Sequence, residues 1–347
     1  MHAAAAGALA ALVGLGILQR RRARRAMPLR VGSGGNAAAR AAQAPASAAA
    51  IEGAPNLPEV LRTFRWRRAD ELEAPVLQLL TRRLRAIGRP PHALYRLMSP
   101  QTLAQASSRE LSELARTEPL LAARVLGIVN SAFYGLRQPV ASLGHAITYL
   151  GLNAFRGLCL QYAMEQTFTP TSREQALLFD EIWRACALAV TQCAQMAQRL
   201  GLPEPAALVS EMVLYFVGQI AVCLLAPPAG VVALHAGELP QRLRAEQELI
   251  GINAAEVGAL MLRAWELPPA LVDAVRDIDR VFDTPAAAFA PERAARLAVC
   301  HLSARLAEDS LAQRSQPLDE MLQGPRAELF HLRGYLALPQ LRALMSC

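Results

Sequence analysis

From Leu57 to the C-terminus, apolar side chains return every three or four positions, the period of a buried helix face. The breaks between these stretches carry start and stop chemistry. Ser107 with Glu110 makes a capping box for a helix through Arg116. Thr117 caps the next, with Pro119 in its first turn and Leu120, Leu121, Val125, Leu126, Ile128 and Val129 on its apolar face. It ends in Asn130-Ser131-Ala132-Phe133-Tyr134-Gly135, where Gly135 suits a left-handed stop. Ser142 opens a short helix that Gly151 closes, and Asn153 opens another to about Thr167. Ser172 with Gln175 is a second capping box, starting a long helix to Gly201. Beyond Pro203 and Pro205 lies an apolar helix near 206–225. Further helices fall near 240–250 and 254–265, from Leu267-Pro268-Pro269 to about Phe282, and near 291–313, before a final helical hairpin. Residues 58–87 are also amphipathic, and no stretch reads as a strand or an internal repeat. The expected fold is all-α, with a bundle from 58 to 170 packed on a second from 171 to 285 and a helical extension over 286–347.

The first residues read differently. Residues 3–18 are apolar and run into Gln19-Arg20-Arg21-Arg22-Ala23-Arg24-Arg25. Residues 1–26 are thus a candidate membrane anchor with a basic flank, although the apolar run is short for a span. Arginines on that side predict a cytoplasmic domain, held at the inner membrane if the segment inserts. A signal peptide would carry its charge before the apolar run. A disordered leader is the third reading. Residues 27–57, rich in Gly, Ala, Ser and Pro, read as a flexible linker.

The length of 347 residues allows one large domain or two small ones. The formal net charge is +7, carried entirely by arginine since lysine is absent. Much of the surplus lies in the first forty residues, so it argues little for nucleic-acid binding by the folded part. Arg65-Trp66-Arg67-Arg68 has the look of a nucleic-acid patch, but the blander reading is a tryptophan anchoring a surface helix to the core. The six cysteines are scattered without a CxxC pair and read as small core residues of a reducing compartment. Cys186 and Cys193 can share a helix face, yet no further metal ligand accompanies them.

Three signatures in order resemble the HDOD family, over roughly residues 90–285. The first is Thr117-Glu118-Pro119-Leu120-Leu121-Ala122-Ala123-Arg124-Val125-Leu126 with Asn130-Ser131-Ala132-Phe133-Tyr134-Gly135. The second is Ser142-Leu143-Gly144-His145-Ala146-Ile147-Thr148-Tyr149-Leu150-Gly151. The third is Glu248-Leu249-Ile250-Gly251, Ala255-Glu256-Val257-Gly258-Ala259 and Trp265-Glu266-Leu267-Pro268. The resemblance implies kinship with HD-type phosphohydrolases, whose histidines and aspartate hold metals that activate water against a phosphate ester. It places the His-Asp pair at Tyr215-Phe216, with Gln219 beyond, a histidine at Ala254 and a His-His pair at Ile278-Asp279. The helix that usually begins with Trp and a nearby His has Trp183 followed by Arg184, Ala185 and Cys186. Only Asp279 of these retains ligand chemistry, and one carboxylate cannot hold a catalytic metal.

Chemistry elsewhere is weakly signalled. His235 with Glu238 and His331 with Glu328 are i,i+3 pairs without a completing cluster, and His145 reads as surface or capping. His301 follows Cys300, but adjacent helix positions do not face each other, which disfavours a nucleophile pair. Gly32-Ser33-Gly34-Gly35 lies in the linker and lacks a phosphate-loop context. Asn130 and Ser131 either cap a helix junction or edge a groove. With Tyr134, Gly151, Glu256, Gly258, Trp265 and Pro268 they form the candidate family-signature or ligand-binding set. The reading is a non-enzymatic signal-transduction module without cofactor or metal, binding a protein partner or small ligand. The alternatives are a phosphohydrolase with an atypical site and a nucleic-acid-binding regulator.

Overall fold

The computed structural model describes residues 57–89, 119–131, 134, 136, 138–234, 238–314, 326–336 and 340. The anchor and most of the linker, the Ser107–Glu110 box, Thr117, Gly135, His235 and Cys347 lie outside them. Every regular element among the described residues is helical, so the fold is all-α.

The order is α1 (Glu59–Thr63), a 3-10 turn (Ala69–Glu71), α2 (Ala74–Ala86), α3 (Pro119–Val129), α4 (Leu143–Leu150), α5 (Leu152–Glu165) and α6 (Arg173–Arg199). Then come α7 (Pro205–Leu225), α8 (Pro228–Leu234), α9 (Leu239–Ile250), α10 (Ala254–Ala264), α11 (Pro269–Arg276), a 3-10 turn (Ile278–Val281), α12 (Pro291–Leu311) and α13 (Leu332–Tyr335), with short 3-10 turns before α12 and α13.

Local chemistry sets these boundaries. The Ser142 hydroxyl accepts the His145 N–H at 3.2 Å and caps α4. Gly151, at φ 82°, ends α4 and begins α5, a conformation that costs glycine little. Asn153 is therefore not the opening cap. It lies in the first turn, where its Oδ1 accepts from Arg156. The Ser172 hydroxyl accepts the Gln175 N–H at 3.2 Å, and Gln175 Oε1 accepts from the Thr171 N–H and hydroxyl, both at 2.8 Å. The box thus closes one residue early, and Gln175 Nε2 also donates to the Cys223 carbonyl on α7.

Three stretches differ from their sequence reading. Residues 58–87 are broken by an extended run at 64–68. The helix after Pro268 ends at Arg276, and the chain tightens into 3-10 bonds that turn Asp279 inward. Helix α8 falls between the helices read near 206–225 and 240–250, where Pro228 takes a first-turn position and Gly230 makes room for Leu249.

Helix α6 packs against α5, α7 and α12, and α7 crosses α10. The main apolar core draws on residues from Ala69 to Leu336, and a second cluster joins Leu57, Leu61 and Trp66 to Leu239, Leu243, Ala255 and Phe282. Helix α7 is long and apolar enough to cross a membrane, but 94% of its apolar window is buried within the protein. Its glycine at 218 meets Gly258 of α10: a β-carbon on Gly218 would lie 2.5 Å from the Ala254 carbonyl oxygen. The backbones of α7 and α10 touch at this crossing.

Candidate functional site

The segment that resembles the HD ligand positions sits in the middle of α7, where apolar neighbours bury nearly every side chain. Tyr215 is not inert filling there. Its hydroxyl lies 2.9 and 3.1 Å from the two Asp279 oxygens and donates to that carboxylate. Arg305 of α12 donates to the same hydroxyl oxygen at 2.7 Å, and Arg242 of α9 at 3.3 Å. The His301 ring, also on α12, stands 3.3 Å from Asp279 through Nδ1. Both guanidiniums converge on Glu308, Arg242 at 2.6 Å and Arg305 at 3.2 Å, and Gln219 of α7 approaches the same carboxylate at 3.5 Å. At the edge, Glu246 lies 3.5 Å from Arg242 and accepts the Ala254 N–H at 2.8 Å.

The electrostatics follow from burial among opposite charges. Desolvation pushes the Asp279 carboxyl up, but Arg305, His301 and Arg242 more than reverse it and leave it at about 2. Glu308 goes the same way: burial raises it, and Arg242 and Arg305 bring it below its ordinary value. Burial alone dominates at Tyr215, whose phenol is pushed far up and stays protonated. Glu246 is pushed up to about 7 by burial, which Arg242 offsets only in part. Burial pulls the Arg242 guanidinium down, but Glu308, Tyr215, Glu246 and Asp279 more than reverse it and keep it charged.

These residues do not fit a divalent metal. Asp279 is already engaged by a phenol, a guanidinium and an imidazole, and two fixed cations stand beside it. Among the described residues no three His, Cys, Asp or Glu side chains form a metal-binding group. What the arrangement can do is hold α7, α9, α12 and the turn after α11 together through one compensated set of charges.

The candidate residues fall into two separate places. At the α3–α4 junction, the Asn130 side chain donates to the Val140 carbonyl at 2.9 Å and accepts its N–H at 2.7 Å. These two bonds tie the end of α3 to the loop before α4. The Ser131 hydroxyl is buried nearby, and Tyr134 stacks edge-on against Tyr149 at 5.5 Å, with burial pushing its phenol to about 12. On and around α10, Glu256 accepts the Trp66 indole N–H at 3.4 Å and the Ala69 N–H at 3.1 Å, so it ties down the N-terminal segment. Gly258 serves the contact with Gly218. Trp265 is buried against Phe168 and donates to the Gly88 carbonyl at 3.1 Å, and Pro268 precedes α11. Ala254 contributes its backbone to the network and Ile278 is core. Trp66 is buried, as an anchor should be, but on an extended run rather than a helix. Cys193 faces Cys300 across α6 and α12, 4.0 Å apart, rather than acting with Cys186.

Sequence reasoning missed Arg242, Glu246, Arg305 and Glu308, and set His301 aside. One signal was present: His301, Arg305 and Glu308 recur at i, i+4 and i+7 along a helix otherwise rich in Ala and Leu.

The architecture is all-α, with a charge network buried where α7, α9, α12 and the turn after α11 meet. The HDOD domain matches residues 87–281, more than half of the chain, and the chain belongs to that family. His301, Arg305 and Glu308 all lie beyond the matched residues. Two solved structures share the fold. One is a Shewanella amazonensis SB2B protein provisionally named a phosphohydrolase, at 20% identity and TM-score 0.50, covering 77% of this chain and 93% of its own. The other is an HDOD domain protein of unknown function from Geobacter sulfurreducens, at 18% identity and TM-score 0.50, covering 77% and 92%. No curated protein matches the chain.

Proposed function

We propose that this chain is a non-enzymatic regulatory module of bacterial signal transduction, acting by binding a protein partner or a small ligand. One observation supports the reading above all. Where a hydrolase would set imidazoles and carboxylates around a metal, this chain sets Arg242 and Arg305 against Tyr215, Asp279 and Glu308. Two guanidiniums repel a divalent cation from the acids they neutralise, and they leave no open position for an activated water. The test is elemental analysis of the dialysed full-length protein together with hydrolysis of bis(p-nitrophenyl) phosphate in added manganese or magnesium. The expected result is neither bound metal in stoichiometric amount nor turnover above buffer. Metal-dependent turnover that disappears with Asp279→Asn would establish the phosphohydrolase alternative instead.

A further inference from the structure

We propose that the extended run Phe64–Arg68 and the helix beside it, α9, form a docking groove for an acidic, extended peptide segment of a partner protein. This names the partner class for the regulatory reading above and rests on it.

The run is held rigidly from beneath. Gln247 of α9 accepts the Arg67 N–H at 2.9 Å and donates to the Arg65 carbonyl at 3.0 Å, as a neighbouring strand would. Trp66, between them, points into the protein and is fastened to Glu256. Alternation along an extended chain then sends Arg65 and Arg67 outward together, roughly 7 Å apart along the strand. Both side chains are exposed, and both line two adjoining cavities of about 240 and 380 Å³. Arg244 lines the first cavity, and Arg68 the second.

These arginines have charge to spare. Among the described residues no side-chain partner stands against Arg67, and the Arg65–Glu71 pair is exposed, with Arg65 81% open to solvent. An exposed pair of this kind contributes little and exchanges readily for another carboxylate. Two guanidiniums at i and i+2 on an extended run match carboxylates at i and i+2 on an extended peptide.

The walls argue for a peptide over nucleic acid. Glu71, Glu73 and Glu248 line the same cavities. They repel a continuous phosphate backbone but leave room for single carboxylates between them. The Trp66 ring is buried beneath Arg280 and closed to base stacking, while Phe64 lines the first cavity half-buried and packs edge-on against Phe282 at 5.1 Å.

The experiment is fluorescence anisotropy on the full-length protein. The probes are a labelled short peptide of alternating Glu and Ser, its Lys-for-Glu counterpart and a labelled oligothymidylate. The acidic peptide should bind at low salt and weaken as salt rises, and the lysine peptide should not bind. The double variant Arg65→Glu/Arg67→Glu should weaken binding at least about tenfold, since like charges then face each other. The control Arg184→Glu on α6 should leave binding unchanged, and unchanged unfolding midpoints establish that both variants fold. Absence of binding by the acidic peptide, equal loss with Arg184→Glu, or tighter binding of the oligonucleotide overturns the assignment. None of these outcomes alters the metal and hydrolysis result, so failure of the groove and failure of the non-enzymatic reading are separable.

Discussion

At the scale of single residues, the same side-chain type does opposite work according to its surroundings. Tyr215 is fully enclosed and bonds three charged groups, whereas Tyr149 is 46% exposed and serves mainly as a ring for Tyr134. Trp265 is a packing residue with one polar obligation, met by the Gly88 carbonyl. Its ring touches Phe168, and relative exposure of 2% leaves no water to take its place on truncation. Trp265→Ala should therefore lower the unfolding free energy by about 3–5 kcal/mol, read from denaturant titration. A loss under about 1 kcal/mol would mean that the surrounding helices collapse into the gap or that the ring is open to solvent.

At the scale of elements, two glycines on helices offer a direct contrast. Gly218 lies at the α7–α10 crossing, where an added β-carbon meets backbone that cannot swing aside. Gly127 lies inside α3 with nothing among the described residues within 4 Å of the added carbon. Helix propensity alone favours alanine by about 1 kcal/mol at both. Packing should reverse the sign at one of them. Gly127→Ala is expected to raise the thermal midpoint slightly, while Gly218→Ala should cost about 1–3 kcal/mol. Equal effects at the two positions would mean that α7 and α10 do not touch. Helix α9 carries polarity on two sides in a similar division of labour: Arg242 and Glu246 reach inward to the charge network, and Arg244, Gln247 and Glu248 face the groove.

At the scale of the whole molecule, the buried network makes stability depend on pH. Glu246 has an ordinary value of 4.5 and a folded value of about 7. Below the first value both folded and unfolded chains hold the proton, and nothing is lost. Between the two, the unfolded chain ionises first, so stability falls as pH rises, by up to about 3 kcal/mol at this one group. Asp279 works in the other direction: its depressed value stabilises the fold above its ordinary range and is lost as pH falls toward about 2. Urea unfolding at pH 5 and pH 7.5 should therefore show a decline that Glu246→Gln flattens, because the amide keeps an acceptor for the Ala254 N–H without titrating. Parallel pH profiles for both proteins would rule this out.

What the sequence determined by itself is most of the helix boundaries of α4 to α7, α9, α10 and α12. Ser142, Ser172, Gly151 and the first-turn prolines act through bonds to residues within a few positions, so their effect is visible without the fold. The signature motifs that place the chain in its family are legible in the same way. The tertiary structure alone decided what the Tyr215 hydroxyl meets. Arg242 and Tyr215 are 27 positions apart, Tyr215 and Asp279 64, and Tyr215 and Arg305 90, and no periodicity within one helix links such partners. The extended run at 64–68 was hidden likewise, since the side chains that hold it, Gln247 and Glu256, arrive from 180 or more residues away. A buried charge is tolerable only beside its partner, and which partner it meets is settled by how the helices pack.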